Sequence, residues 1–348
     1  MKKSEVAAAW GSILLGRIPV LSIEITRECP LTCPGCYAYG ESHLGGGVTL
    51  NELTDFRGDD LVNGLIGLAK KHKPLHISLV GGEPLVRHKE LSRTIPVLNE
   101  MRIFTMIVTS AVIPIPMEWM SYDRVRVTVS IDGLQPDHDV RRKPATYEKI
   151  LKNITGRKIN IHWTITRQMT ERPGYLEEFL AYWSSLPEIL NIWFSLYTPQ
   201  IGEQSAEMLT PAQRVSVSRE LAGLKKQYPK LLMHDGLAEA YINPPESPKD
   251  CTFAKMSVNY SADLKSRVEP CIFGGNPDCS QCGCTATAGL HWVADYNLLG
   301  PLKAGHIMNA SLGIGNLIDG LRAEPVRTTR WGKNGESAPP KDLIQIGS

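Results

Sequence analysis

Short β-rich runs and longer amphipathic runs alternate along the first two-thirds of the chain. Val20–Ile25, Leu75–Val80, Ile103–Thr109, Val125–Ile131, Ile159–Thr166 and Ile192–Tyr197 are rich in β-branched and aromatic residues and read as strands. Between them, Asp59–His72, Lys89–Met101, Thr146–Ile154, Gly174–Ser185 and Pro211–Gln227 read as helices. Tyr147, Ile150, Leu151 and Ile154 show the spacing of one buried helix face. Repeated strand–helix units predict a parallel sheet, with the loops after the strand C-termini as the working face. Six strands predict an α/β fold, a partial (βα)6 TIM-like barrel rather than a closed ring of eight.

The alternation weakens after about Leu237, and Asn243–Pro248 is Pro-rich and reads as a linker. A helix is expected near Leu317–Arg322, and the tail from Arg327 onwards is expected to be poorly ordered in part. The chain therefore divides into a barrel over residues 1–236, an extension over 237–326 and a tail over 327–348. Lys2 and Lys3 precede the apolar run Val6–Leu15, as in a signal peptide. Glu5, Arg17 and the lack of a small-residue cleavage site favour a short amphipathic helix packed on the domain. No apolar stretch reaches the ~20 residues that cross a bilayer, so no transmembrane segment is expected and the chain is read as cytoplasmic.

Composition narrows the partners. Apolar residues make up 42% of the 348, enough for a sizeable core. With 38 Lys+Arg against 36 Asp+Glu, no whole-chain field points to nucleic acid or an anionic membrane. Arg141, Arg142 and Lys143 form a short basic run that reads as a solvated loop.

The cysteines carry the chemistry. Three sit at Cys29, Cys33 and Cys36, and five at Cys251, Cys271, Cys279, Cys282 and Cys284, with none between. Tight thiol groups in a large chain of this kind suggest metal rather than disulfides. Cys29, Cys33 and Cys36 form a CxxxCxxC loop directly after the first strand. Three thiolates on one loop can hold three irons of a [4Fe–4S] cluster and leave the fourth iron open to a small molecule. The alternative is structural zinc, with His43 recruited as a fourth ligand.

This loop and its position resemble those of the radical S-adenosylmethionine (SAM) superfamily. That resemblance implies that SAM chelates the open iron and that reductive cleavage yields a 5′-deoxyadenosyl radical. Gly81-Gly82-Glu83-Pro84 after the second strand is similar to the family's GGEP element, where glycines permit close approach and Glu83 would pair with the SAM ammonium group. Thr109-Ser110 ends the third strand, where the family places small polar residues near SAM. Ser130-Ile131-Asp132-Gly133 ends the fourth and resembles the SxDG element; Ser130 would face SAM, while Asp132 would shape the turn. His138–Tyr147 resembles the stretch that follows in many members, where Arg141 or Arg142 could reach a carboxylate, although a surface loop is the expected role. Gly35 departs from the family, which often has an aromatic residue before the third cysteine; Tyr37 could compensate.

The second cysteine group resembles the Twitch and SPASM-type extensions that hold an auxiliary cluster. Met256–Tyr260 and Arg267–Val268 are expected to form a hairpin between Cys251 and Cys271, and Cys279, Cys282 and Cys284 follow. The spacing is not the usual SPASM one, so the expectation is a single auxiliary [4Fe–4S] cluster on four of the five thiols, with zinc as the alternative. Leu15-Gly16-Arg17 and Gly35 resemble the adenosylhopane-synthase-like branch, which acts on an isoprenoid lipid.

The expected activity is thus radical SAM modification of an organic substrate, a peptide or secondary metabolite, with isoprenoid or lipid modification as the alternative. A reductant such as flavodoxin or ferredoxin is implied. An iron–sulfur electron carrier or redox sensor, or a zinc scaffold, is the non-catalytic alternative. His76, Trp163, Trp193 and Tyr197 lie in strands and carry no assigned role.

Overall fold

Alternation along the strands divides the sheet into an apolar face that takes the helices and an inner face that is polar along most strands and apolar along the third. The computed structural model describes residues 10–36, 43–44 and 53–321. Its main sheet has seven parallel strands in the order β6-β5-β4-β3-β2-β1-β7. They are β1 (Val20–Glu24), β2 (His76–Val80), β3 (Phe104–Thr109), β4 (Val125–Ile131), β5 (Ile159–Ile165), β6 (Ile189–Leu196) and β7 (Ser257–Tyr260).

Helices α1 (Gly58–His72), α2 (His88–Glu100), α3 (Gln135–Arg141), α4 (Tyr147–Ile154) and α5 (Tyr175–Ser185) connect the first six strands, and α6 (Pro211–Leu224) and α7 (Asp235–Ile242) follow β6. This is the expected partial barrel. Local chemistry sets the helix ends. Thr210 and Gln213 form a reciprocal capping box on α6. In α1, Asp59 and Asp60 occupy the first turn and Lys70 and Lys71 the last, matching the helix dipole.

The strand count departs from six. Ser257–Tyr260 does fold back, with Tyr260 bridging Arg267 and the Val268 N–H donating to Asn259 O at 3.0 Å, but its other edge pairs in parallel with β1. The hairpin arm is therefore also the seventh barrel strand. Beyond it come α8 (Thr285–Asp295), the two-stranded β8 (Asn297–Leu299) and β9 (Leu302–Lys303), and α9 (Ala304–Gly320), a longer helix than the Leu317–Arg322 signal suggests. Tyr37 and the tail over 327–348 lie outside the described residues. Among those described, no helix is long and apolar enough to cross a membrane.

Val127, Val129, Ile131, Ile161, Trp163 and Ile165 join the helix residues Ile150, Phe179 and Trp183 in one core. Trp163 stacks on Phe179 at 3.8 Å between centroids, and Trp183 donates to Tyr147 Oη at 3.0 Å. The opposite face carries Ser22, Ser78, Thr128, Ser130, Asn160, His162, Trp193, Ser195 and Asn259, which share one side by strand register. Phe179 is fully buried, so Phe179→Ala should lower unfolding stability by about 3–5 kcal/mol. Denaturant titration of the parent and variant measures this directly.

Candidate active site at the barrel rim

The first cysteine loop is held by backbone packing. Gly82 N–H donates to Thr26 O and Glu83 N–H to Glu28 O, both at 2.8 Å. A β-carbon on Gly81 would lie 2.6 Å from Thr26 O, and one on Gly82 2.2 Å from Glu28 O. Gly81 also sits at φ +124°, which side chains disfavour. These glycines are therefore required by the neighbouring loop backbone itself.

Cys33 and Cys36 stand on that loop within electrostatic reach of Cys29. Burial pushes the Cys29 thiol up to about 11, and the negative charges of Glu83, Cys33 and Cys36 add to the effect. Burial also raises Cys33, against the opposing pull of Arg142 and Arg141. Three crowded, part-buried thiols suit a cationic cluster that keeps them ionised. His43 is not available as a fourth ligand to this loop. Its Nε2 meets Glu24 at 2.6 Å and its Nδ1 meets Phe273 O at 3.0 Å.

Glu83 is 1% exposed and its acceptors are occupied. Oε1 accepts from Leu85 N at 2.9 Å and from Thr109 Oγ1; Oε2 accepts from Ser110 N at 2.8 Å and from Ser110 Oγ. The side chain thus fastens the end of β2 to the end of β3. Thr109 and Ser110 are its partners. Ser130 lies on the inner face of β4, in register with His162.

The basic run after β4 is not a solvated loop. Asp132, fully buried, binds Arg141 and Arg142, the latter at 2.5 Å, and accepts from Thr164 N at 3.3 Å. Arg141 also forks onto Glu207 at 2.8 and 2.9 Å and reaches Pro34 O, inside the cysteine loop, at 3.2 Å. Glu207 carries no sequence signal that would have singled it out.

Gly35 has a structural reason. It sits at φ +60°, and a β-carbon there would lie 2.8 Å from Tyr197 Oη. The aromatic ring at this place comes from the end of β6, and its hydroxyl binds Glu203.

The second cysteine group is laid against the same strand end. Leu196 N–H donates to Gly283 O at 3.0 Å, Gly283 N–H to Thr198 Oγ1 at 2.8 Å, and Thr285 N–H to Ser195 Oγ at 3.2 Å. A β-carbon on Gly283 would lie 2.1 Å from Leu196 O. Arg214 of α6, buried and unremarked in the sequence, donates to Tyr241 O and Cys282 O at 2.9 Å each and also to Gln281 O.

Cys251, Cys271, Cys282 and Cys284 each lie within electrostatic reach of the other three, whereas Cys279 couples to Cys251 alone among them. Cys279, however, lines the cavity beside Cys251, Cys271 and Cys282. Burial raises all five thiols, Cys279 to about 12. Among the described residues no three are drawn together around a single ion. A four-iron cluster takes one thiolate per iron and needs no such convergence.

Residues 23–166, which include this loop and strands β2–β5, match the model of the radical SAM superfamily. The matched segment is a radical SAM domain. The enzyme is 21% identical over 266 residues to a probable GTP 3′,8-cyclase of Methanocella arvoryzae, covering 74% of this chain and 82% of the relative. Its fold is similar to Streptococcus suis SuiB bound to precursor peptide SuiA, with TM-score 0.55, 16% identity, and coverage of 78% of this chain and 63% of SuiB. It is also similar to native anSMEcpe with bound AdoMet and the Cp18Cys peptide, with TM-score 0.53, 15% identity, and coverage of 84% and 83%. The enzyme thus spans less than two-thirds of SuiB. Members of the superfamily use a [4Fe–4S] cluster and SAM.

Asp132 gives the site a pH signature. Burial opposes its ionisation, but Arg142 and Arg141 outweigh that and hold the carboxyl well below the usual carboxylate range. Because the folded value is depressed, its stabilisation is complete above the unfolded value of about 3.9 and declines as pH falls below it. Asp132→Asn should cost about 3–5 kcal/mol at neutral pH, since the part-buried Arg142 loses its carboxylate and Arg141 keeps only Glu207. The gap between parent and variant in denaturant titrations should narrow between about pH 4 and pH 2.

Proposed function

We propose that the enzyme uses SAM to modify a polar organic substrate, a peptide or secondary metabolite, inside the barrel. The observation that carries this reading is the inner face itself. Ser22, Ser78, Thr128, Asn160, His162, Ser195 and Asn259 line most of it, with Met106 and Val108 of β3 as an apolar strip among them, where a site for an isoprenoid chain calls for aliphatic residues throughout. Thr128 Oγ1, Trp193 Nε1 and Asn259 Oδ1 are buried there without partners among the described residues, and a polar substrate supplies them. SuiB with its precursor peptide and anSMEcpe with a peptide share the fold and are compatible with this class.

In this reading Cys29, Cys33 and Cys36 would hold the [4Fe–4S] cluster that binds SAM. When bound, the pair would supply the radical chemistry that removes a substrate hydrogen. Gly81, Gly82, Thr109, Ser110 and Ser130 form the rim around SAM, with Glu83 acting through the two strand ends it joins. Tyr197 covers the cysteine loop at Gly35 and excludes water from that side.

His162 is the inner residue that meets substrate. Burial pushes its pKa down to about 4, so it is uncharged at neutral pH and both donates and accepts hydrogen bonds. Its Nε2 meets Ser195 Oγ at 2.8 Å, which fixes the ring.

Cys251, Cys271, Cys282 and Cys284 of the extension would hold a second [4Fe–4S] cluster, with Cys279 outside the set. A flavodoxin or ferredoxin is the proposed electron donor.

Anaerobically reconstituted parent protein should release 5′-deoxyadenosine from SAM under reduction, read by mass spectrometry. Replacing Cys29, Cys33 and Cys36 by Ala should abolish release, and undiminished release would refute the site. Parent protein should carry about eight irons, two clusters' worth. Cys279→Ser should keep all of them, whereas joint replacement of Cys251 and Cys271 should remove about four. Loss of four irons from Cys279→Ser would transfer the ligand role to Cys279.

His162→Phe should raise the KM for a peptide or metabolite substrate about tenfold, one lost hydrogen bond, while substrate-free SAM cleavage stays at the parent rate. A product formed from isoprenoid alcohols and not from polar substrates would overturn the substrate class.

A further inference from the structure

Arg214 of α6 is 7% exposed, and a guanidinium does not give up its proton to escape burial. A buried cation of this kind needs an anion. Among the described residues Arg214 contacts carbonyl oxygens alone, those of Tyr241, Gln281 and Cys282. Arg141 and Arg142 beside the first cysteine loop each touch a carboxylate. Arg214 is satisfied in hydrogen bonds but not in charge.

Asp278 lies within electrostatic reach of it. That carboxylate is engaged elsewhere, accepting from Ser280 N at 3.1 Å, Ser280 Oγ at 2.6 Å and Gln281 Nε2 at 2.8 Å, and its partial exposure lets solvent screen it. The Cys282 sulfur, once ionised, is the other anion within reach. The cavity beside the thiols offers no alternative. Pro245, Pro248, Ala254, Phe273 and Pro277 wall it, and among the described residues no charged side chain lines it.

We infer that Arg214 is the counter-cation of the second cluster and makes that cluster easier to reduce. The inference rests on the proposed cluster at Cys251, Cys271, Cys282 and Cys284. Four thiolates give such a cluster a net negative charge, and reduction adds to it, so a fixed cation nearby favours the reduced form. An apolar wall alone does the reverse, because burial penalises added charge. Hydrogen bonds to the sulfurs act in the same direction as Arg214. Thr287 Oγ1 lies 3.8 Å from Cys251 Sγ, and Ala254 N–H donates to that sulfur at 3.4 Å. Those groups serve the Cys251 side of the cavity. Arg214, fixed by the carbonyls of Gln281 and Cys282, serves the other.

A redox titration of the anaerobically reconstituted full chain, followed by electron paramagnetic resonance, tests this. The chain with Cys29, Cys33 and Cys36 replaced by Ala carries the second cluster alone and identifies its signal. Arg214→Gln keeps a donor for the carbonyls but removes the charge. It should weaken the second cluster's electron affinity at least about tenfold, a midpoint lower by about 59 mV or more. Arg214→Lys keeps the charge and should stay within about threefold of the parent. An Arg214→Gln chain that retains about eight irons and the parent midpoint overturns the proposal. So does an Arg214→Lys chain whose midpoint falls as far as that of Arg214→Gln, which would make Arg214 a clamp on the carbonyls. Loss of about four irons from Arg214→Gln but not from Arg214→Lys supports the charge role, whereas loss from both overturns it. Parent protein with only about four irons overturns the second cluster itself, and that failure is read from the iron count before any potential is measured.

Discussion

The backbone of Gly81 and Gly82 lies against the carbonyls of Thr26 and Glu28 with no room for a β-carbon. Everything at the cysteine-bearing rim depends on that contact. The obstructing atoms belong to main chain, so a side chain at either glycine could be accommodated only by moving the loop that leads into Cys29. Two hydrogen bonds then register the turn after β2 on the loop after β1. Glu83 extends the unit to β3 through Thr109 and Ser110. A buried carboxylate with four donors is costly to disturb, because removing any of its partners leaves charge without compensation. The three strand ends are thereby locked as one piece, and the thiols inherit that rigidity.

The end of β6 performs the corresponding task on the other side. Three consecutive residues there touch both cysteine groups. Tyr197 fills the space over Gly35, while Leu196 and Thr198 hold Gly283 through their backbone and hydroxyl groups. Asp132 adds a polar brace, since Arg141 binds it and Pro34 O together. A change in the position of β6 would therefore move the two thiol groups in concert. Glycine at 35 and at 283 is what permits a bulky tyrosine and a strand carbonyl to come so close.

Much of this was legible in the chain. All six expected strands and five expected helices form with ends that differ by a few residues, because period and β-branching are local properties. The seventh strand was not, for a physical reason. Met256–Tyr260 carries a true turn signal and does fold back on Arg267, but its partnership with β1 joins distant parts of the sequence. Arg141 and Arg142 misled in the same way. A basic run reads as solvated when its carboxylates lie elsewhere, and here Asp132 and Glu207 come from β4's end and from beyond β6. The GGEP signature located Glu83 but said nothing of its donors, which only the juxtaposition of two strand ends supplies.

The inner face also bears on selectivity. A substrate that filled the barrel with hydrocarbon would strip water from Asn160, His162, Ser195 and their neighbours without replacing its hydrogen bonds. Each buried polar group left unpaired costs about 1–3 kcal/mol, so a row of them rejects an apolar chain by a large factor. A polar ligand meets those groups and avoids the penalty, much as sites built to hydrogen-bond a hydroxyl discriminate against analogues that lack it. Discrimination therefore rests on what the wrong ligand leaves unsatisfied as much as on what the right one gains.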